Sequence, residues 1–186
     1  MRIISGLYKG KKILEPKDKE TRPLKDLTKE SIFNVINHSS KFNVNLNSAV
    51  VLDLFSGVGS FGLECLSRGV NEVIFVENYS GVLPILKKNL TNLRTINNYS
   101  IIEEDIFNEN FLFSLKKKID IIFLDPPYKI KNLSELLNKI QKFKLLNKNG
   151  IIILHRHKKE KDKLPLNFKI LEEKKYGISK IIFISY

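Results

Sequence analysis

Five short apolar runs recur along the chain, near Val50–Leu54, Glu72–Glu77, Ser100–Glu103, Ile119–Asp125 and Gly150–His155. Between them the apolar spacing turns helical, over Ser60–Ser67, Leu83–Leu90, Phe111–Lys117 and Leu133–Lys142. Strands that are apolar on both faces and alternate with helices predict a parallel sheet covered on either side. Two last strands, Phe168–Glu172 and Lys180–Ser185, have only Tyr176-Gly177 between them and no helix, which predicts a terminal antiparallel hairpin. Ahead of the sheet, Arg2–Ser5 and Lys11–Leu14 around Gly10 read as a β-hairpin. A helix follows over Leu24–His38, with Leu27, Ile32, Phe33 and Ile36 as its apolar stripe. The expectation is one α/β domain over 1–186, made of a hairpin-and-helix extension (1–48) and a seven-stranded core (49–186).

Composition narrows the class. Hydrophobic residues make up 42% of 186, arranged in regular runs, which excludes a disordered chain. No apolar stretch approaches the ~20 residues that cross a bilayer. The chain opens directly on Arg2-Ile3-Ile4-Ser5, without an apolar signal core, so a cytoplasmic monomer is expected. The single cysteine, Cys65, falls in an apolar helical pattern and reads as core. Charge is uneven: residues 1–50 carry net +5, 51–128 net −3 and 129–186 net +10. A basic shell around a mildly acidic middle suits an enzyme that meets a polyanion at its rim. Only five of the 32 basic residues are Arg, so part of that excess is ordinary solvated lysine.

The most telling motif is Asp125-Pro126-Pro127-Tyr128, directly after the apolar run Ile121-Ile122-Phe123-Leu124. Two prolines end the strand, stiffen the loop and remove two N–H donors. A carboxylate, two carbonyls and an aromatic ring delivered together suit gripping a planar base by its exocyclic amine. A second motif runs Asp53-Leu54-Phe55-Ser56-Gly57-Val58-Gly59-Ser60-Phe61-Gly62, a strand entering a tight glycine turn and then a helix. Such a turn lets a ligand approach the backbone closely. Glu77, 20 residues after Gly57, stands where an acid can bind two ribose hydroxyls. Glycine spacing and Glu77 alone also fit a nicotinamide dehydrogenase. Asp53 argues otherwise, because a carboxylate there repels a pyrophosphate and attracts the ammonium or sulfonium of S-adenosylmethionine. In the next loop, Asp105 is positioned to accept an adenine amino group and Ile106 to pack on its ring. All these residues close successive strands, where open α/β sheets bind ligands.

These features together resemble the RsmD-type family, methyltransferases acting on the guanine N2 amine of small-subunit ribosomal RNA. The resemblance covers nearly the whole chain. It includes Arg2-Ile3-Ile4-Ser5-Gly6 with Lys9-Gly10, Arg22-Pro23, Lys29-Glu30-Ser31-Ile32-Phe33, the Asp53 glycine loop, Leu66-Ser67-Arg68-Gly69, the Asp125 tetrapeptide and Tyr176-Gly177. Leu24-Lys25 departs from the family's usual Thr pair, and Lys29 stands where Arg is frequent. The resemblance implies a Rossmann-like seven-stranded methyltransferase fold with S-adenosylmethionine as donor. It implies Asp125, Pro126, Pro127 and Tyr128 at the amine, with Asp53, Phe55, Gly57, Gly59, Glu77, Asn78, Asp105 and Ile106 at the cofactor. Ribosomal RNA, naked or in an assembling small subunit, is the implied partner.

Lys9, Lys11, Lys12, Arg22, Lys25 and Lys29 read as a basic surface beside the pocket, contacting RNA phosphates. His155 and His157 share a strand face but lack the further ligands of a metal site, so they read as strand-end residues and no metal is expected. Two alternatives share part of the pattern: a DNA or RNA adenine-N6 methyltransferase, and a non-catalytic RNA-binding relative.

Overall fold

A computed structural model describes residues 1–16, 24–127, 130 and 132–186. The sheet has strands β1 (Val50–Leu54), β2 (Glu72–Val76), β3 (Tyr99–Ile102), β4 (Ile119–Leu124), β5 (Leu146–His157), β6 (Lys169–Tyr176) and β7 (Ser179–Ser185). Their order is β3-β2-β1-β4-β5-β7-β6; β1 to β5 are parallel, and β7 runs antiparallel to both neighbours. Helices α1 (Asp26–His38), α2 (Ser60–Ser67), α3 (Leu83–Thr91), α4 (Glu109–Ser114) and α5 (Leu133–Lys142) cover it.

The continuous apolar strands divide their side chains with a period of two, as the pleat requires. Val51, Phe75, Ile121, Phe123, Ile151, Ile153 and Phe183 face one core, with α1, α2 and α3. Leu52, Leu54, Ile74, Ile122, Leu124, Ile152 and Ile184 face the other, with α4 and α5. Three rings tie the outer helix to the central strand: Phe33 of α1 stacks on Phe61 of α2 at 5.5 Å, and Phe61 on Phe123 of β4 at 4.0 Å.

The N-terminal segment forms the expected hairpin, shorter than its predicted arms. Ile3 N–H bonds to the Lys11 carbonyl, Gly10 N–H to that of Ile3 and Ile13 N–H to that of Met1, around an antiparallel bridge from Arg2 to Lys12. The end of α2 takes the donors that follow in the first arm. Ile4 and Ser5 give their N–H groups to the buried Glu64 carboxylate at 2.7 and 3.0 Å. Leu7 N–H bonds to the Ser67 carbonyl, Tyr8 N–H to the Ser67 hydroxyl, and that hydroxyl donates to the Ser5 carbonyl. Two segments singled out by resemblance, residues 2–6 and 66–69, are therefore one structural clamp.

Helix α1 corrects two expectations. Leu27 is 66% exposed, because it sits about 180° round the helix from Ile36. Lys29 is two turns before Ile36 on the buried face, fully enclosed. Its Nζ donates to the Arg2 carbonyl at 2.5 Å and lies 3.6 Å from Asp26 Oδ1. Burial lowers its pKa, against the raising pull of Glu64 and Asp26. Lys29 holds the extension to the body and is removed from the RNA-contacting set.

At Gly6, φ is +82° and an added Cβ would stand 1.8 Å from the Ser67 carbonyl oxygen. Gly6→Ala should therefore cost about 2–4 kcal/mol through overpacking and a disfavoured φ. Chemical denaturation will read this as a lowered midpoint; an unchanged midpoint means the clamp adds nothing to stability.

Candidate functional site

The carboxyl ends of β1, β2, β3 and β4 bring Asp53, Glu77, Asp105 and Asp125 to one rim. Asp53 is the last but one residue of β1 and lies beneath α2. It is 1% exposed, and its Oδ2 accepts from the Gly62 N–H at 3.0 Å. Its Oδ1 is buried without any hydrogen-bond partner. Burial, and then the negative charges of Asp125 and Glu77, raise its pKa from 3.8 to about 8, while the Gly62 N–H pulls the other way. A cationic ligand would reverse that shift: a buried ammonium would pair the orphaned oxygen and favour the ionised form.

The glycine turn is held from inside. The Ser56 hydroxyl donates to the Asp53 carbonyl at 2.6 Å and accepts from Val76 N–H, joining the ends of β1 and β2. Phe55 has φ +61°, a left-handed conformation that costs a non-glycine residue ~1–3 kcal/mol and concentrates at functional sites. Gly57 and Gly59 also have positive φ, the latter as the N-cap of α2. Gly62 serves close packing: a Cβ there would meet the Phe75 ring at 2.2 Å.

Glu77 follows β2 and binds backbone on both oxygens. Oε2 accepts from Gly57 N–H at 2.8 Å, and Oε1 accepts from Asn78 and Tyr79. The acid thus braces the turn whose ligand it was expected to share, leaving lone pairs for further donors. Asp105 is exposed and accepts from Phe107 N–H at 2.9 Å. Ile106 is 5% exposed and packs into the second core, presenting only an edge to any ring.

Asp125 follows β4, with Pro126 buried and Pro127 exposed beside it. Tyr128 and Arg22 lie outside the described residues. Sequence reasoning missed the neighbour of Asp125. His155, near the end of β5, places Nδ1 2.9 Å from Asp125 Oδ1 and Nε2 2.9 Å from Ser179 Oγ. The signal was available, because parallel pairing of β4 and β5 sets Leu124 beside Leu154 and hence the next residues side by side.

The basic residues divide. Lys12 and Lys25 are exposed, whereas Lys11 is half-buried and its Nζ donates to the Asn92 carbonyl. Lys9 is exposed on the turn that lies against Ser67, at the end of α2, and carries Tyr8 to Thr95, ahead of β3. That is the edge where strands begin, opposite Asp53 and Asp125, so the expectation that Lys9 flanks the pocket is corrected. The loop after β5 instead raises Lys158, Lys159, Lys161 and Lys163, all exposed, at the rim of Asp125. It is pinned by a bidentate pair from Arg156 to Asp162 at 2.8 and 3.0 Å and by Lys180 Nζ on the Glu160 carbonyl. Its sequence signal was the net +10 of residues 129–186.

The strand order, the glycine turn and acids on consecutive strand ends place the chain among S-adenosylmethionine-dependent methyltransferases, a class of enzyme. The solved structure of yhhF of Escherichia coli superposes with TM-score 0.82 at 26% identity, covering 99% of this chain and 96% of that one. HI0767 of Haemophilus influenzae gives 0.75 at 30% identity, with 99% and 97% covered. The chain belongs to the family described as conserved hypothetical protein 95, whose model matches residues 1–185. Its relatives include ribosomal RNA small subunit methyltransferase D of Haemophilus influenzae, 31% identical over 183 residues, with 96% of this chain and 90% of that protein covered. YlbH of Bacillus subtilis is 36% identical over 156 residues, 82% of this chain and 80% of that protein. The RsmD-type resemblance read from the sequence is borne out. Among the described residues no helix is long and apolar enough to cross a membrane.

Asp53 ionises near 3.8 when unfolded and near 8 when folded. Between those values the folded chain keeps a proton that the unfolded chain has released, so stability falls as pH rises across that window. Asp53→Asn should flatten this decline and raise the melting temperature of the ligand-free protein at pH 8. Thermal unfolding from pH 5 to 9 checks it; an unchanged slope would mean that Asp53 is already ionised in the fold.

Proposed function

We propose that the protein transfers a methyl group from S-adenosylmethionine to the exocyclic N2 amine of a guanine in 16S ribosomal RNA. The observation that carries the reading is the rim itself: Asp125 beside Pro126 at the end of β4, with the buried, half-paired Asp53 across from it at the end of β1. The family and its relatives named for small-subunit methylation support the substrate.

When bound, S-adenosylmethionine supplies an electrophilic methyl group on a cationic sulfur. The residues present fit it. The unpaired Oδ1 of Asp53 suits its ammonium, Gly57 and Gly59 let it approach the backbone, and Phe55 and Asn78 border the same turn. The remaining lone pairs of Glu77 suit ribose hydroxyls, while Asp105 and the edge of Ile106 suit the adenine.

Asp125 and the Pro126 carbonyl each accept one N–H of the guanine amine. That nitrogen is a poor nucleophile because its lone pair is delocalised into the ring. Two acceptors hold it partly pyramidal, aim the lone pair along the transfer axis, and stabilise the positive charge that grows on nitrogen. The acidic methylated ammonium then releases one proton to Asp125 or to water. Pro127 keeps the loop stiff, and Tyr128 is assigned to stack on the base, a contact worth ~1–3 kcal/mol. A paired guanine would first be flipped out, at a cost of a few kcal/mol. A monomer acting in the cytoplasm on ribosomal RNA or an assembling subunit completes the reading.

Asp125→Ala should leave cofactor affinity nearly intact and slow methyl transfer at least ~100-fold. Calorimetric binding beside a tritium-methyl assay separates the two effects; full activity in the variant would remove Asp125 from the chemistry. Nucleoside mass spectrometry of small-subunit RNA, with and without the gene product, should differ in N2-methylguanosine. A difference in N6-methyladenosine instead would move the activity to the adenine class.

RNA contact is proposed for Lys12, Lys25 and Arg22, with Lys158, Lys159, Lys161 and Lys163 of the pinned loop added. Lys25→Ala and Lys161→Ala should each reduce the slope of log affinity against log salt by roughly 0.7–0.9. Lys9→Ala should leave it unchanged. Filter binding between 50 and 200 mM salt reads the slopes, and a slope insensitive to the loop would return the RNA to the extension alone.

A further inference from the structure

We propose that His155, itself fixed by Ser179, is the positioning residue that sets Asp125 for amine capture; this rests on the reading of Asp125 given above. The acids at this rim solve one problem in different ways. Glu77 is held by the N–H groups of the next two residues, Asn78 and Tyr79. Asp105 is held by the N–H two residues on, from Phe107, and Asp53 by that of Gly62. Asp125 has no such recourse, because the next two residues are Pro126 and Pro127, which carry no N–H. The loop that makes the Pro126 carbonyl available therefore denies its own carboxylate the N–H groups of the next two residues, while the Pro127 carbonyl accepts from Ile130 N–H.

His155 supplies the missing donor from a neighbouring strand. An ionised carboxylate only accepts, so Nδ1 carries the hydrogen toward Asp125 Oδ1 at 2.9 Å. Nε2 is then an acceptor and takes the Ser179 hydroxyl hydrogen, also at 2.9 Å. One neutral tautomer satisfies both bonds. This commits Oδ1 to the imidazole and leaves Oδ2 for the incoming N–H. The two side chains are only 16% and 26% exposed, so water competes weakly for either bond.

The contact is not needed to pair the strands. Main-chain ladders already join Ile121–Leu124 to Ile151–Leu154, and Ile152–His157 to Ile184–Ser179. Other charges near the ring are engaged elsewhere. Arg156 and Lys180 occupy the opposite face and bind Asp162 and the Glu160 carbonyl, while His157 Nδ1, two residues along, accepts from Lys159 N–H.

The test compares His155→Leu, His155→Asn, Ser179→Ala and Asp125→Ala in steady-state methylation, with melting temperatures and cofactor affinities in parallel. The Asn amide can place an N–H where Nδ1 donates. Loss of orientation should lower kcat of His155→Leu by about 10- to 100-fold, with KM for RNA and cofactor affinity within about threefold. His155→Asn should recover to within about fivefold of wild type, and Ser179→Ala should fall between. If His155→Leu does not fold, the Asn and Ala variants decide alone. A His155→Leu enzyme with wild-type kcat beside an inactive Asp125→Ala enzyme overturns the positioning role and spares Asp125. So does a folded His155→Asn enzyme slowed more than tenfold. A fully active Asp125→Ala enzyme overturns the role of Asp125 and this inference with it.

Discussion

A carboxylate withdrawn from water has to find donors or give up its charge, and this fold is arranged around three that meet at one edge. Parallel strands bring their carboxyl ends together, so the order β2-β1-β4 necessarily gathers Glu77, Asp53 and Asp125. Each finds a different settlement. Glu77 is braced by backbone with lone-pair capacity to spare, Asp125 is shared with an imidazole, and Asp53 keeps one oxygen unpaired and an elevated pKa. The unevenness is informative, because full internal satisfaction would leave nothing for a cationic donor or an aryl amine.

Much of the core was legible because it depends on apolar continuity. Strands β1, β2 and β4 and helices α2 and α5 came out within a residue or two of their predicted bounds. The glycine turn and the Asp125 tetrapeptide were legible for the same reason, since both are punctuation at strand ends. In the extension the short hairpin and helix α1 were legible, but their docking was not. Glu64 and Ser67 take the donors of Ile4, Ser5 and Tyr8, and no local rule announces a partner sixty residues away. Lys29 was misread because charge was given precedence over period; its helical phase alone placed it indoors. His155 was weighed as a ligand and set aside, and its true partner became visible only through the register of β4 against β5.

The charge distribution was read correctly in magnitude and partly misplaced in space. The described lysines of the first fifty residues do not form one patch, because the chain runs from the strand-start edge at Gly6 toward the pocket edge near Leu14. Asn89 marks the second place, joining the Leu14 and Val58 carbonyls. The stronger basic feature at the pocket edge belongs to the far end of the sequence, on a loop made rigid by a buried Arg156.

The three stacked rings Phe33, Phe61 and Phe123 have a mechanical corollary. Close-packed interiors transmit displacement with little give. A column of aromatics spanning two helices and ending two residues before Asp125 therefore acts as a strut. The position of Asp125 is thereby tied to the seating of an outer helix, through a ring whose address is on the periphery.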